Sequence, residues 1–312
     1  MGLTSMLDLE LAVPDPAELE AFWMRRGMQA TAPGVLGTAE RPTQLRFREG
    51  GYRHVSELVV GCDNERDLLD IASRLEGLGI ESEMGDGSLR CADPVNDHEV
   101  VVRVGDAEPL APITRSLNGP GTSNRLDRRS TACLGEAPHA PRRFGHVVFG
   151  TPDVTASKNF YVDGLGFKVS DSIGDFAYFI RCSADHHNML LAPAAVPNMN
   201  HYAMEMDDVD AIGLAGAKIL AERPDSSVTG LGRHIIGANV FWYFLDPAGG
   251  MFELFTDMDQ IVDDDRWASE HFRDDWDPFS TVAAWNASSI KPDFFEPVDI
   301  AEIAKGREAA GR

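Results

Sequence analysis

Short apolar segments of strand length recur along the chain, and several run directly into a stretch with helical spacing. Leu7-Asp-Leu-Glu-Leu-Ala-Val alternates with period two, then passes through Pro14-Asp15-Pro16 into Glu18-Leu-Glu-Ala-Phe-Trp, a helical pattern. His54-Val-Ser-Glu-Leu-Val-Val is followed by the amphipathic Glu65-Arg-Asp-Leu-Leu-Asp-Ile-Ala-Ser-Arg-Leu. His146-Val-Val-Phe-Gly-Thr-Pro-Asp-Val leads into Ala156-Ser-Lys-Asn-Phe-Tyr, and His201-Tyr-Ala-Met-Glu-Met into Val209-Asp-Ala-Ile-Gly-Leu-Ala-Gly-Ala. The pattern therefore predicts a unit of strand, helix and several short strands, occurring four times, two units to each half.

The halves can be laid over one another. Matching Pro14-Asp15 to Pro152-Asp153 gives an offset of 138 (152 minus 14), which sets Asp8 opposite His146. A second match sets His54 opposite His201, and a third pairs Asp93-Pro94 with Asp246-Pro247, bringing Val100 approximately opposite Glu253. Residues 1–110 are thus expected to form one βαβββ-repeat domain and residues 143–260 a second. Between them, 111–142 reads as a linker rich in Pro, Gly, Ser and Arg. Residues 261–312 form an acidic tail carrying Trp267, Trp276 and Trp285, expected to pack on the body or on a neighbouring subunit. The fold class is α+β.

Composition narrows the function. At 312 residues with 43% hydrophobic content, the chain can build a sizeable core. No apolar run approaches the ~20 residues that span a bilayer, and Met1-Gly-Leu-Thr-Ser has no export-signal pattern, so a cytoplasmic protein is expected. The 28 basic against 50 acidic residues give a net charge of -22, which argues against nucleic acid or an anionic membrane as partner. Cys62, Cys91, Cys133 and Cys182 are scattered without a CxxC pair, so reduced thiols are expected.

Three residues stand out against this background. His146, His201 and Glu253 each sit in an apolar strand segment, with separations of 55 (201 minus 146) and 52 (253 minus 201). A carboxylate inside Met251-Phe-Glu-Leu-Phe is costly unless a cation or metal faces it. Two imidazoles and one carboxylate form a donor set that leaves coordination positions open on a divalent metal, which suits chemistry with dioxygen.

Further motifs carry a family resemblance. Residues 143–256 resemble the catalytic domain of the type I extradiol ring-cleaving dioxygenases, within the vicinal oxygen chelate superfamily; the first half resembles it in repeat pattern only. Arg181-Cys-Ser-Ala-Asp-His-His-Asn-Met-Leu-Leu is similar to the segment bearing the family's acid–base histidine, with His187 falling 14 before His201 (201 minus 187). Gly232-Arg-His resembles a motif whose histidine, here His234, lines the pocket. Phe241-Trp-Tyr-Phe-Leu-Asp-Pro-Ala-Gly-Gly-Met-Phe-Glu resembles the closing signature, with Tyr243 as the pocket tyrosine.

The resemblance implies a two-domain vicinal oxygen chelate fold of tandem βαβββ modules. It implies Fe(II), or Mn(II), held by His146, His201 and Glu253, with O2 as cosubstrate. It also implies a catechol opened to a 2-hydroxymuconic semialdehyde-type product, and assembly as a homo-oligomer. Val148, Ile235 and Ile236 stand where some relatives carry polar residues, which favours an alkyl- or aryl-substituted catechol, while Arg181 and Arg233 remain candidates for an acid group. Two other classes in the superfamily stay open. Isomerases and thiol transferases complete their metal site with a fourth ligand, for which Asp8 is a candidate, and ligand-sequestering proteins hold no metal.

Overall fold

Strand, helix and three strands repeat four times in the computed structural model, which describes residues 2–105, 111–112, 117–131, 140–269, 283–286, 290–291 and 293–312. The first unit comprises β1 (Leu3–Val13), α1 (Pro16–Met24), β2 (Gln29–Ala32), β3 (Val35–Gly37) and β4 (Leu45–Glu49). The second comprises β5 (His54–Cys62), α2 (Glu65–Gly77), β6 (Ser82–Gly85), β7 (Ser88–Ala92) and β8 (Glu99–Val104). The third has β9 (Arg143–Thr151), α3 (Val154–Lys158) continuing as a π-helical stretch Asn159–Leu165, β10 (Lys168–Ile173), β11 (Ala177–Arg181) and β12 (Met189–Pro193). The fourth has β13 (Asn198–Glu205), α4 (Val209–Glu222), β14 (Gly232–His234), β15 (Val240–Leu245) and β16 (Met251–Thr256).

Each helix starts where an acid or amide follows a strand. Asp15, Asn64, Asp153 and Asp208 accept hydrogen bonds from the first backbone N–H groups of α1, α2, α3 and α4. The strands assemble into two sheets, ordered β2-β3-β4-β1-β5-β8-β7-β6 and β10-β11-β12-β9-β13-β16-β15-β14, with β17 (Ala283–Trp285) added to the second. One core runs from sheet to sheet through the helices: Phe22 and Trp23 of α1 pack on Phe252 and Tyr202 of the second half. The opposite, concave faces are where the chemistry-bearing residues lie.

Strand register aligns the halves residue by residue and corrects the sequence match. Asp8 pairs with Val59, which pairs with Val101; His146 pairs with Ala203, which pairs with Glu253. Two places back on β5 and β13 stand Glu57 and His201, opposite Glu10 and Val148. The counterparts of His201 and Glu253 are therefore Glu57 and Val101, where the sequence offers His54 and Val100. His54 opens β5 whereas His201 lies three residues inside β13, so aligning the two histidines slips the strand by three.

In the first half an arginine occupies the place where the second half has its donor cluster. Arg46, at the register position of Leu190, contacts Asp8 at 2.6 Å, Glu10 at 3.0 Å and Glu57 at 2.5 Å. Arg90, at the position of Tyr243, spans Glu57 at 2.9 Å and Glu99 at 2.7 Å. Asp8 is thus committed to Arg46 in the other sheet and is not a fourth ligand for the His146 cluster.

The tail lies along both halves. Trp267, in α5 (Asp264–Ser269), donates from Nε1 to the Ser170 carbonyl at 3.0 Å. Asp299 takes a two-pronged contact from the buried Arg53 at 2.9 and 2.7 Å, just before α6 (Ile300–Ala309). Trp276 and Cys133 fall outside the described residues; Cys62, Cys91 and Cys182 are buried free thiols. Among the described residues no helix is long and apolar enough to cross a membrane.

Candidate metal centre

β9, β13 and β16 are neighbours in the second sheet, and register puts His146, His201 and Glu253 on one face. All three are buried, and one donor atom from each lies within 4.8 Å of the others. His146 Nε2 is 2.8 Å and His201 Nε2 3.5 Å from Glu253 Oε2. The other carboxylate oxygen, Oε1, accepts a hydrogen bond from Asn239 Nδ2 at 2.8 Å, which aims Oε2 at the histidines.

A bulge at Asn200 shapes this site. The pairing of β9 with β13 steps from Met199 to His201, so Asn200 is the extra residue and its side chain reaches the neighbouring imidazole ring instead of the opposite face. Asn200 Nδ2 donates to the Phe294 carbonyl at 2.9 Å, which leaves Oδ1 to accept from His201 Nδ1 at 2.7 Å. His201 Nδ1 therefore carries the proton, and Nε2 presents a lone pair to the cluster. That Nε2 is buried with no hydrogen-bond partner. An orphaned acceptor of this kind costs about 1–3 kcal/mol, and a divalent metal satisfies it. The donor set and the orphan fit a metal ion held by these three residues.

Electrostatics agree with the geometry. Burial would raise the Glu253 carboxyl, but the attraction and hydrogen bond of His146, with His201 and His234 close by, outweigh it and hold the group well below the usual carboxylate range. Burial pushes the His201 imidazole down to about 4, against the pull of Glu253, so the ring is neutral and able to ligate near neutrality.

His187, in the loop between β11 and β12, lies beside His146 with ring centres 4.7 Å apart and planes tilted by 56°. Tyr243 lies on β15 opposite Glu253, its ring 5.0 Å from that of His201. His234 closes β14 and meets the Tyr243 hydroxyl at 2.9 Å through Nε2. All six residues line one cavity, whose remaining wall is apolar: Val148, Phe179, Leu190, Ile236, Ile290, Phe294 and Phe295.

Residues 143–254 match the Glyoxalase/Bleomycin resistance protein/Dioxygenase superfamily. Metapyrocatechase 2 of Cupriavidus necator is 30% identical over 275 residues, covering 84% of this chain and 83% of that protein. The chain belongs to the extradiol dioxygenases of this superfamily. The iron-dependent extradiol dioxygenase of Rhodococcus jostii is 26% identical over 72% of this chain and 77% of its own length. The fold is that of the Mn(II)-bound glyoxalase of Novosphingobium aromaticivorans, with a TM-score of 0.72 at 21% identity over 96% of this chain and 99% of that one. This extradiol dioxygenase is accordingly an oxidoreductase with a metal cofactor.

The two candidates for holding a substrate acid group do not line the cavity. Arg181 is buried against Asp264, and Arg233 pairs with Asp257 at 2.8 Å and the Ala238 carbonyl at 2.5 Å. Ile235 is absent from the cavity wall while Val148 and Ile236 are part of it. Other residues were invisible to sequence reasoning. Asn239 and Asn200 lie in no recognised motif and show their purpose only through register and the bulge. His186, the first of the paired histidines, meets His187 Nδ1 to Nδ1 at 3.0 Å and Asp171 through Nε2 at 2.8 Å. Phe294 and Phe295 come from the tail, whose linear pattern carries no sign that they return to the site.

Proposed function

We propose that this extradiol dioxygenase opens an alkyl- or aryl-substituted catechol at an Fe(II) ion held by His146, His201 and Glu253, giving a 2-hydroxymuconic semialdehyde-type product. The observation that carries the reading is a buried two-histidine, one-carboxylate cluster facing an apolar cavity that also contains His187 and Tyr243. Bound there, the divalent ion supplies Lewis acidity to both oxygens of a chelating catechol and a path for electrons from ring to dioxygen.

The chain's own groups handle protons and exclusion of water. The Asp171 carboxylate accepts from His186 Nε2, and the tautomer that places the ring proton there leaves His186 Nδ1 to accept from His187. His187 then donates from Nδ1 and faces the cavity with an unprotonated Nε2. Burial, reinforced by the neighbouring histidines, keeps His187 well below the usual imidazole value, so it waits neutral to take a phenolic proton. Burial and the Glu253 charge hold Tyr243 well above the usual phenol range, so it stays a hydrogen-bond donor towards substrate oxygen, with His234 behind it. Val148, Phe179, Leu190 and Ile236 would seat the apolar ring substituent.

The same reading includes a cytoplasmic homo-oligomer, which light scattering and fractionation check. The deciding experiment loads the protein anaerobically with Fe(II) or, separately, Mn(II), adds catechol, 3- and 4-substituted catechols or 2,3-dihydroxybiphenyl, and follows oxygen uptake with near-visible absorbance. Stoichiometric uptake with a growing yellow product on Fe(II) protein supports the proposal; larger turnover on Mn(II) reassigns the metal. Absence of uptake from metal-replete protein across the panel overturns it.

A further inference from the structure

A second cavity lies against the catalytic one. It measures about 230 Å³ against about 70 Å³ for the catalytic cavity, and the two share Phe294 as a wall. Asn200, Ser227, Leu245 and Met251 line it on the sheet side. Phe294 presents its ring edge-on to Tyr243, centres 4.9 Å apart, and faces His201 at 6.2 Å. It is half-buried, packed on the Phe241, Tyr243 and Met251 cluster, and belongs to a tail segment otherwise built of local turns.

One side chain fixes this partition. The Phe294 carbonyl is held by Asn200 Nδ2 at 2.9 Å, while Oδ1 of the same amide holds the His201 Nδ1 proton at 2.7 Å. Asn200 is almost fully buried, so its bond to His201 is sheltered from water and its bond to Phe294 partly so. Resting on the function proposed above, we infer that Phe294 is the specificity-determining wall that confines the catechol substituent. We further infer that Asn200 is a positioning residue coupling that wall to the metal ligand. Trimming Phe294 would join the cavities along the side facing His201 and Tyr243, so substituents that project past Tyr243 gain room. Releasing Asn200 would loosen the wall and the His201 imidazole together.

The two halves of the amide can be separated. Asn200→Asp keeps an acceptor for His201 Nδ1 and removes the donor to Phe294, whereas Asn200→Ala removes both. Three readouts apply to the full-length protein: Mn(II) affinity from the electron paramagnetic resonance of free Mn(II), hydrogen exchange at amides 293–296, and anaerobic binding of catechol against 2,3-dihydroxybiphenyl to metal-loaded protein. Asn200→Ala is expected to weaken Mn(II) binding by about 10–100-fold, the usual loss when the partner of a ligating histidine is removed. Its tail amides should exchange faster. Asn200→Asp should speed the same amides while binding Mn(II) no more weakly than wild type. Phe294→Ala should leave Mn(II) affinity intact and raise the preference for 2,3-dihydroxybiphenyl over catechol by about 10-fold or more, the gain from burying an added phenyl ring.

Unchanged exchange in Asn200→Asp would overturn the coupling even if Asn200→Ala fails to fold, and an unchanged binding ratio in Phe294→Ala would overturn the partition. If wild type binds neither catechol, the substrate reading itself fails and takes the partition with it, while the metal and exchange readouts still decide the role of Asn200.

Discussion

Replacing Arg46 with Leu, the residue at the equivalent place in the second half, tests whether a cation is what makes the first half's carboxylate cluster tolerable. Asp8 is 2% exposed, and Glu10 and Glu57 are about one-fifth exposed or less in their side chains. Removing the charged partner from a buried pair costs about 3–5 kcal/mol, because the remaining charge is left without compensation. Arg46 is itself one-fifth exposed and Arg90 still reaches Glu57, so the lower end, about 3 kcal/mol, applies. At about 2–4 °C per kcal/mol the melting temperature should fall by roughly 6–12 °C at pH 7.5.

The deficit must depend on pH in one direction. Burial raises the Asp8 carboxyl above 3.8 despite the opposing pull of Arg46, and without Arg46 it rises further. An acid whose folded value is raised carries its penalty above the folded value and loses it below the unfolded value of 3.8. The variant should therefore approach wild type as the pH falls towards 4, measured by urea unfolding and thermal scans at pH 7.5, 6 and 4.5. In a double-mutant cycle, Asp8→Asn should cost less beside Arg46→Leu than alone. A loss under 1 kcal/mol at pH 7.5, or a deficit that grows on acidification, would refute the reasoning.

Other consequences are quicker to check. Saturating Fe(II) or Mn(II) at about 100 times its dissociation constant should stabilise wild type by about 2.7 kcal/mol, and His201→Ala or Glu253→Ala should abolish both the metal-induced shift in melting temperature and turnover. His187→Asn should retain metal while kcat falls by about 10²–10⁴-fold; equal turnover across a catechol panel would retire its role in proton transfer. Asp246 is raised to about 6 by burial, so folded protein binds its proton more tightly than unfolded chain and this group's contribution to stability should rise as pH falls from 7 towards 4. Asp246→Asn should remove that part of the slope, about 2 kcal/mol between pH 7 and 4.5, in urea unfolding at those two values.

Much of the molecule could be read from the chain because its local signals agree with its fold. The Asx caps, the period-two runs and the Asp-Pro repeats mark all four βαβββ units, and the six site residues come from segments whose motifs survive in sequence. What escaped reading depends on register. No linear pattern reveals that Asn200 is a bulged residue, since a bulge is defined only against the strand opposite. The false match of His54 to His201 has the same origin: a shared residue type outweighed strand position. Arg181 and Arg233 looked available for a substrate acid because sequence does not show that Asp264 and Asp257 already hold them.

The two halves give one physical problem two solutions. Both keep the same bulge next to the central strand pair, at Ser56 between Val55 and Glu57 and at Asn200 between Met199 and His201. Both bury carboxylate at its centre, which is costly without positive charge close by. In the first half Arg46 and Arg90 supply that charge covalently and fill the concave face with side chains, so no open coordination position remains. In the second half the same places hold Leu190 and Tyr243, which are uncharged and leave Glu253 to two neutral-capable imidazoles and a cavity. A strand pairing that demands a cation becomes a reactive site where the chain withholds its own arginine. On this argument wild-type protein should bind one equivalent of Mn(II) per chain, and a second equivalent, with an affinity that Arg46→Leu alters, would show that the arginine does not substitute for an ion.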